Sequence, residues 1–186
     1  METFLSIAVG VGLAAACGFR VFVPLLALNL AAISGYLVLP SGFAWMGAPY
    51  STIAFSVATL LEILGYYIPW VDHILDTIAS PAAVIAGTLT TAAVIADMPP
   101  FVKWTLALIA GGGIAGLVQG STVALRAKSS LVTAGTANPI LATAELAGSV
   151  LTSIAAIFIP VVCLVLIFIF LIWAVRRIRR FIGTRK

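Results

Sequence analysis

The chain has 186 residues, 62% of them hydrophobic and only 9% charged, with a mean hydropathy of +1.21. Soluble domains carry about 25% charged residues, so an aqueous fold is excluded and the bilayer is the expected solvent. The formal charge of +4 is not a nucleic-acid signal, because six of the ten basic residues lie in the closing stretch RRIRRFIGTRK, which reads as a lipid-contacting flank.

The first apolar block covers about residues 3–33. Its opening, METFLSIAVGVGLAAAC, lacks the basic n-region of a secretion signal, and the apolar run continues past Cys17, so it is expected to stay as a membrane span. Arg20 is the one charged residue between Thr3 and Ala32. A guanidinium keeps its proton and costs about 2.5–3.5 kcal/mol at the bilayer centre. Acidic partners inside the bundle are therefore expected, Glu62 first and Glu145 second. Pro24 lies four residues after Arg20, lacks a backbone donor and predicts a helix break near Arg20.

Further apolar blocks cover about 50–69, 80–97, 101–125 and 139–175. Backbone polar groups in lipid must be paired within the segment, and no block alternates as a barrel strand does, so all are predicted helical. Turn chemistry separates them in LPSGFAWMGAPY, PWVDHILDTIASP, DMPP and KSSLVTAGTANP. Trp45, Tyr50, Tyr66, Tyr67, Trp70, Trp104 and Trp173 fall near block ends, the place of interfacial anchors. Thr136 or Asn138 is expected to cap the helix that Pro139 begins.

The last block is too long for one crossing. A helix of its length would run roughly 55 Å against a hydrocarbon core of about 30 Å. Pro160 divides it into ILATAELAGSVLTS, rich in small residues, and VVCLVLIFIFLIWAV, large and apolar. Passes at about 139–156 and 160–177 follow, giving six in all; one long, kinked last helix is the alternative and gives five. Six passes put Arg126 and Lys128 on the side of the basic C-terminus, as the positive-inside rule favours, with both termini cytoplasmic. The expected organisation is one transmembrane domain over 1–178 and a basic cytoplasmic tail over 179–186.

A spacing recurs. Ser6, Gly10, Ala14 and Gly18 stand four apart and Arg20 follows two later; Gly112, Gly116, Gly120 and Ala124 do the same ahead of Arg126. Small residues at this spacing line one helix face and admit another backbone. The contexts TLLEILG around Glu62 and ATAELAG around Glu145 are also alike. Blocks three passes apart face opposite ways, so the pattern reads as a three-plus-three inverted repeat. Gly112, Gly116 and Gly120 are expected to pack against a helix of this protomer or of a second copy.

Asp72, His73 and Asp76 form the one other concentration of polar chemistry. They are weak candidates for a divalent metal, lacking a second histidine, and a solvated or lipid-facing loop explains them as simply. The chain has no G-x-S-x-G, H-E-x-x-H or P-loop pattern, so no cofactor is expected and an enzyme would have to rest on these three residues.

Gly18-Phe19-Arg20 with Pro24-Leu25, Glu62 followed by Pro69-Trp70-Val71-Asp72, Pro81, Gly87, Arg126, and Asn138-Pro139 ahead of Glu145 together resemble the bacterial integral-membrane family called domain of unknown function 4126. The resemblance covers about 5–150 and implies an all-α polytopic bundle in a bacterial inner membrane. The family has no established activity to carry over. The expected function is a small transporter or channel for a small solute or ion, with Arg20, Glu62, Arg126, Glu145 and Asn138 along its path. The alternative is a membrane scaffold or assembly factor that binds partner helices through its small-residue faces. Expected partners are membrane lipid and a second copy of the chain, not nucleic acid.

Overall fold

A computed structural model describes residues 2–68, 71–95, 98–133 and 135–183. Its elements are all helical: α1 Glu2–Cys17, α2 Phe22–Ile33, a 3-10 turn Ser41–Gly47, α3 Pro49–Tyr66, α4 Val71–Val94, α5 Pro100–Leu106, a π segment Ala107–Gly112, α6 Gly113–Thr133, α7 Asn138–Phe158 and α8 Pro160–Gly183. Val71–Val94, Pro100–Thr133 and Asn138–Phe158 are each long and apolar enough to cross a membrane. The 3-10 turn and α3, bent by 59°, make a fourth such stretch if taken as one span. Large apolar side chains remain exposed along these helices, among them Ile53, Leu60, Ile85, Ile109, Leu151 and Phe168, as a lipid-facing surface requires.

The predicted break at Arg20 is present. Block 3–33 is two shorter helices, α1 and α2, joined by residues 18–21. Pro24 sits in the first turn of α2, where a missing N–H breaks no helical bond. The stretch 71–79, read as a loop, is instead the start of α4. Its carboxylates are held by partners inside the bundle, which removes the reason to expect a solvated loop. Pro81 is carried inside this helix. Pro160 does divide the last block. Cys163 Sγ lies 3.7 Å from the Thr152 carbonyl, whereas a continuous helix would set these residues roughly 16 Å apart. The chain therefore turns sharply at Ile159 and packs α8 beside the end of α7. α8 runs on to Gly183, past the tail boundary drawn at 178, and the side chains of Trp173 and of the tail lie outside the described residues, as do Pro69 and Trp70.

α1 is the central helix. Ala8, Leu13, Ala14, Ala16 and Cys17 are wholly buried, and α4, α6, α7 and α8 all pack on it. With no aqueous phase to expel side chains from, such packing relies on close backbone approach. Gly12 provides it toward α7, where an added Cβ would stand 2.5 Å from that of Ala156. Cys17 and Cys163 are buried free thiols. Asn29 on α2 fixes the outer corner: its Nδ2 donates to the carbonyls of Met46 (2.6 Å) and Ala48 (3.2 Å), and Thr52 donates to its Oδ1 at 2.8 Å.

Gly18 ends α1 against α6. A Cβ there would lie 2.5 Å from Val118 Cβ and 2.6 Å from the Ala115 carbonyl oxygen. Gly18→Ala should therefore destabilise the protein by about 1–3 kcal/mol, read as a lowered Tm in detergent. An unchanged Tm would show that this contact has slack.

Candidate functional site

Three helices bring the polar residues together in two layers. In the outer layer, Asn138 at the start of α7 donates to Asp72 on α4 (2.8 Å) and to Ser130 on α6 (3.0 Å). One turn further in, Arg126 on α6 donates to Asp76 on α4 (2.5 Å) and bonds Glu145 on α7. Moving inward, residue numbers rise along α4 and α7 and fall along α6. The three successive helices thus alternate in direction, as consecutive crossings do.

Glu145 also faces Arg20 at 3.6 Å, and Arg20 Nη2 donates to the Ala142 carbonyl at 2.9 Å. The result is a continuous chain, Asp76–Arg126–Glu145–Arg20, reaching from α4 to the break after α1. Both guanidiniums lie over the Tyr66 ring, 3.7 Å (Arg20) and 4.2 Å (Arg126) from its centroid. A cation over an aromatic face is attracted by the ring quadrupole, most strongly when water is absent. Arg20 and Arg126 are 1% and 2% exposed, so water screens neither. Their planes rest on the ring and their edges face the carboxylates, yet Arg20 Nε, Arg20 Nη1 and Arg126 Nε have no hydrogen-bond partner among the described residues.

Glu62 does something else. Its two oxygens accept the backbone N–H groups of Val21 (2.7 Å) and Phe22 (3.0 Å). Those donors open α2 and have no partner within that helix. A carboxylate from α3 thus caps a helix that begins inside the bundle, where the positive end of the helix dipole favours it. The expected Arg20–Glu62 pair is absent, and Glu145 is the partner of Arg20. The cause is local: breaking the helix at residues 18–21 exposes two N–H groups nearer to Glu62 than the guanidinium is.

A cleft of about 430 Å³ opens between α4 and α6, lined by His73, Asp76, Thr77, Ser80, Val123 and Ala127. Asp76 links the two regions, with its carboxylate on Arg126 and its edge on the cleft. Asp72 and Asp76 turn toward different partners and His73 is exposed. Among the described residues no three such side chains gather around a common point for a metal ion.

Arg20, Arg126, Glu145 and Asn138 fall within one region, and Glu62 borders it. Gly112 packs on Thr88 and Val84 of α4 and Gly116 on Val84, while Gly120 meets nothing within 4 Å. Asn138 serves as a bridge to Asp72 and not as a cap for its own helix, and Thr136 bonds back to the Thr133 carbonyl. Tyr66, grouped with the interfacial anchors, is buried beneath the guanidiniums, whereas Trp45, Tyr50, Tyr67 and Trp104 are exposed. Its one available signal was its place four residues after Glu62, on the same helix face. Asp76 had a similar signal, four residues after Asp72.

A family model described as Domain of unknown function (DUF4126) matches residues 7–180. No curated protein and no solved structure matches the chain.

Two mutant cycles test these assignments. Arg126→Met and Asp76→Leu should each cost about 3–5 kcal/mol by leaving a buried charge unpaired, and the double variant should recover most of the loss. Glu62→Leu should cost about 1–3 kcal/mol by uncapping α2, and adding Arg20→Met should not recover it. Unfolding in detergent reads both, and recovery in the second cycle would reinstate the Arg20–Glu62 pair.

Proposed function

Because the chain belongs to the family Domain of unknown function (DUF4126), which assigns no activity, we propose from the site itself that the protein is a transporter or channel for a small solute or ion. The observation that carries this reading is the cleft that opens on Asp76, one end of the buried ion-pair chain. Ion pairs that serve packing alone need no opening at their end. Ionisable groups within membrane helices characteristically mark substrate or proton paths. Helix breaks at membrane depth occur where backbone is buried in protein or lines a path, and the break beside Arg20 stands at the other end of the chain.

In this reading α1 and α2 form one broken crossing. With α3, α4, the α5–α6 helix, α7 and α8, that gives six crossings in a three-plus-three arrangement, with both termini on the cytoplasmic side. The alternation of α4, α6 and α7 and the sharp turn before Pro160 support the count. The scaffold reading retains one supporting observation: Gly113 and Gly120, seven residues apart on α6, meet nothing within 4 Å and leave room for a partner helix.

Proteoliposomes test the proposal. Under an osmotic step or an ion gradient, light scattering across a panel of small solutes and ions should show flux above that of empty vesicles. Thr77 lines the cleft and takes no part in the ion pairs, so Thr77→Trp should block entry and lower the flux at least about tenfold without unfolding the protein. Absence of flux for the whole panel would overturn the transport reading in favour of the scaffold.

A further inference from the structure

The buried chain is balanced in charge but not in hydrogen bonds. Arg20 and Arg126 contribute two positive charges, Asp76 and Glu145 two negative ones, so these four ion-paired groups sum to zero when all are ionised; Glu62, the further carboxylate whose charge reaches both arginines, is held on the N–H groups that open α2. A guanidinium has five N–H donors. Arg20 uses Nη2, on the Ala142 carbonyl and toward Glu145, while its Nε and Nη1 have no partner. Arg126 leaves Nε without one. The Tyr66 ring meets the guanidinium planes and its hydroxyl is within hydrogen-bonding reach of Arg126 and Asp76, which still leaves those three nitrogens without a partner among the described residues. Buried donors on charged groups are costly to leave unmet, so three such nitrogens on two almost wholly buried side chains point to an acceptor that the protein does not supply.

We propose that these guanidinium edges bind a small monovalent anion, and that the anion enters together with one proton that Asp76 takes from the cleft. The proposal rests on the transport reading and supplies its substrate class. Charge dictates the pairing. An anion alone would leave the buried chain at −1, and a proton alone would leave it at +1; together they keep it neutral, the condition for a low-dielectric interior. The proton passes from cleft water to the Asp76 carboxylate. Arg126 Nη1 then faces a neutral carboxyl group and joins the donors turned toward the anion. Release of both restores the starting ion pairs, and each cycle moves no net charge. Chloride, formate and bicarbonate share the required chemistry, whereas a divalent anion would need a second proton.

The groups acting on Asp76 are Arg126 from α6, Tyr66 from α3, and Asp72 and His73 from its own helix, with Glu145 of α7 beyond Arg126. His73 lines the mouth of the cleft and is exposed, so it stands on the route the proton takes.

The test uses the purified full-length protein in detergent, with Tm followed against sodium formate and sodium chloride, and with sodium sulfate at matched ionic strength as control. Formate or chloride should give a saturable rise in Tm that sulfate does not. One-for-one coupling makes the apparent Kd weaken about tenfold per pH unit through the range where Asp76 is ionised. Asp76→Asn, which fixes the neutral state, should bind with a Kd independent of pH. Arg20→Lys should lose the saturable rise. If the wild type responds alike to all three salts, water occupies these nitrogens and the proposal is overturned. A pH-independent Kd in the wild type overturns the coupling, and retained binding in Arg20→Lys places the anion elsewhere. If Asp76→Asn does not fold, the pH slope of the wild type decides alone. Flux that Thr77→Trp blocks, without any anion-specific Tm shift, would sink this inference and leave the transport reading standing.

Discussion

Two guanidiniums held out of water set the terms for the whole bundle. Each needs carboxylates at its edges, and in lipid those can come only from other helices. Glu145 serves both arginines, Asp76 serves Arg126, and Tyr66 offers its ring to the pair. Meeting these demands fixes the relative height and rotation of α3, α4, α6 and α7. The glycines and alanines of α1 then let the helices close around a core in which polar contacts supply much of the specificity.

Much of this was legible in the sequence, and what was not has physical causes. Composition gave the membrane setting, and isolated charges marked Arg20, Arg126, Glu62 and Glu145, because an apolar run makes any charge conspicuous. Pro24 and Pro160 marked real interruptions through their missing donors. Partner choice was hidden. Whether Glu62 meets a guanidinium or two backbone N–H groups depends on where α1 ends in space, and periodicity carries no such distance. On sequence alone Asp72 and Asp76 read as loop residues, because carboxylates near Trp and Pro resemble an interface. Inside the bundle, Asn138 and Arg126 make them ordinary helical residues. Tyr66 was hidden by its own versatility, since an amphipathic ring suits a membrane boundary and a buried cation equally well.

Glu62 and Glu145 stand in similar stretches of sequence and do unlike work. One neutralises guanidiniums; the other satisfies backbone donors at an internal helix start. If the halves descend from one repeat, the division into α1 and α2 is what separated the roles. An interrupted helix offers a carboxylate N–H groups, and an uninterrupted one offers only side chains. Arg126, within the continuous α6, consequently meets two carboxylates, and Arg20, beside the break, meets one and a carbonyl.

The π segment Ala107–Gly112 sets the phase of everything after it. A π turn holds one more residue than an α turn, and one residue is worth about 100° of rotation. Gly111 and Gly112 lie in this wide turn and admit α4 closely, so the accommodation falls where two backbones meet. With a uniform α pitch from Pro100 onward, Arg126 would swing about a quarter turn away from Asp76 and Glu145. The azimuth of the arginine is therefore written some fifteen residues upstream, so that a one-residue deletion near Gly112 would close the wide turn to an ordinary α turn and leave the cation facing its carboxylates, whereas α pitch imposed on the full-length segment would turn it toward lipid.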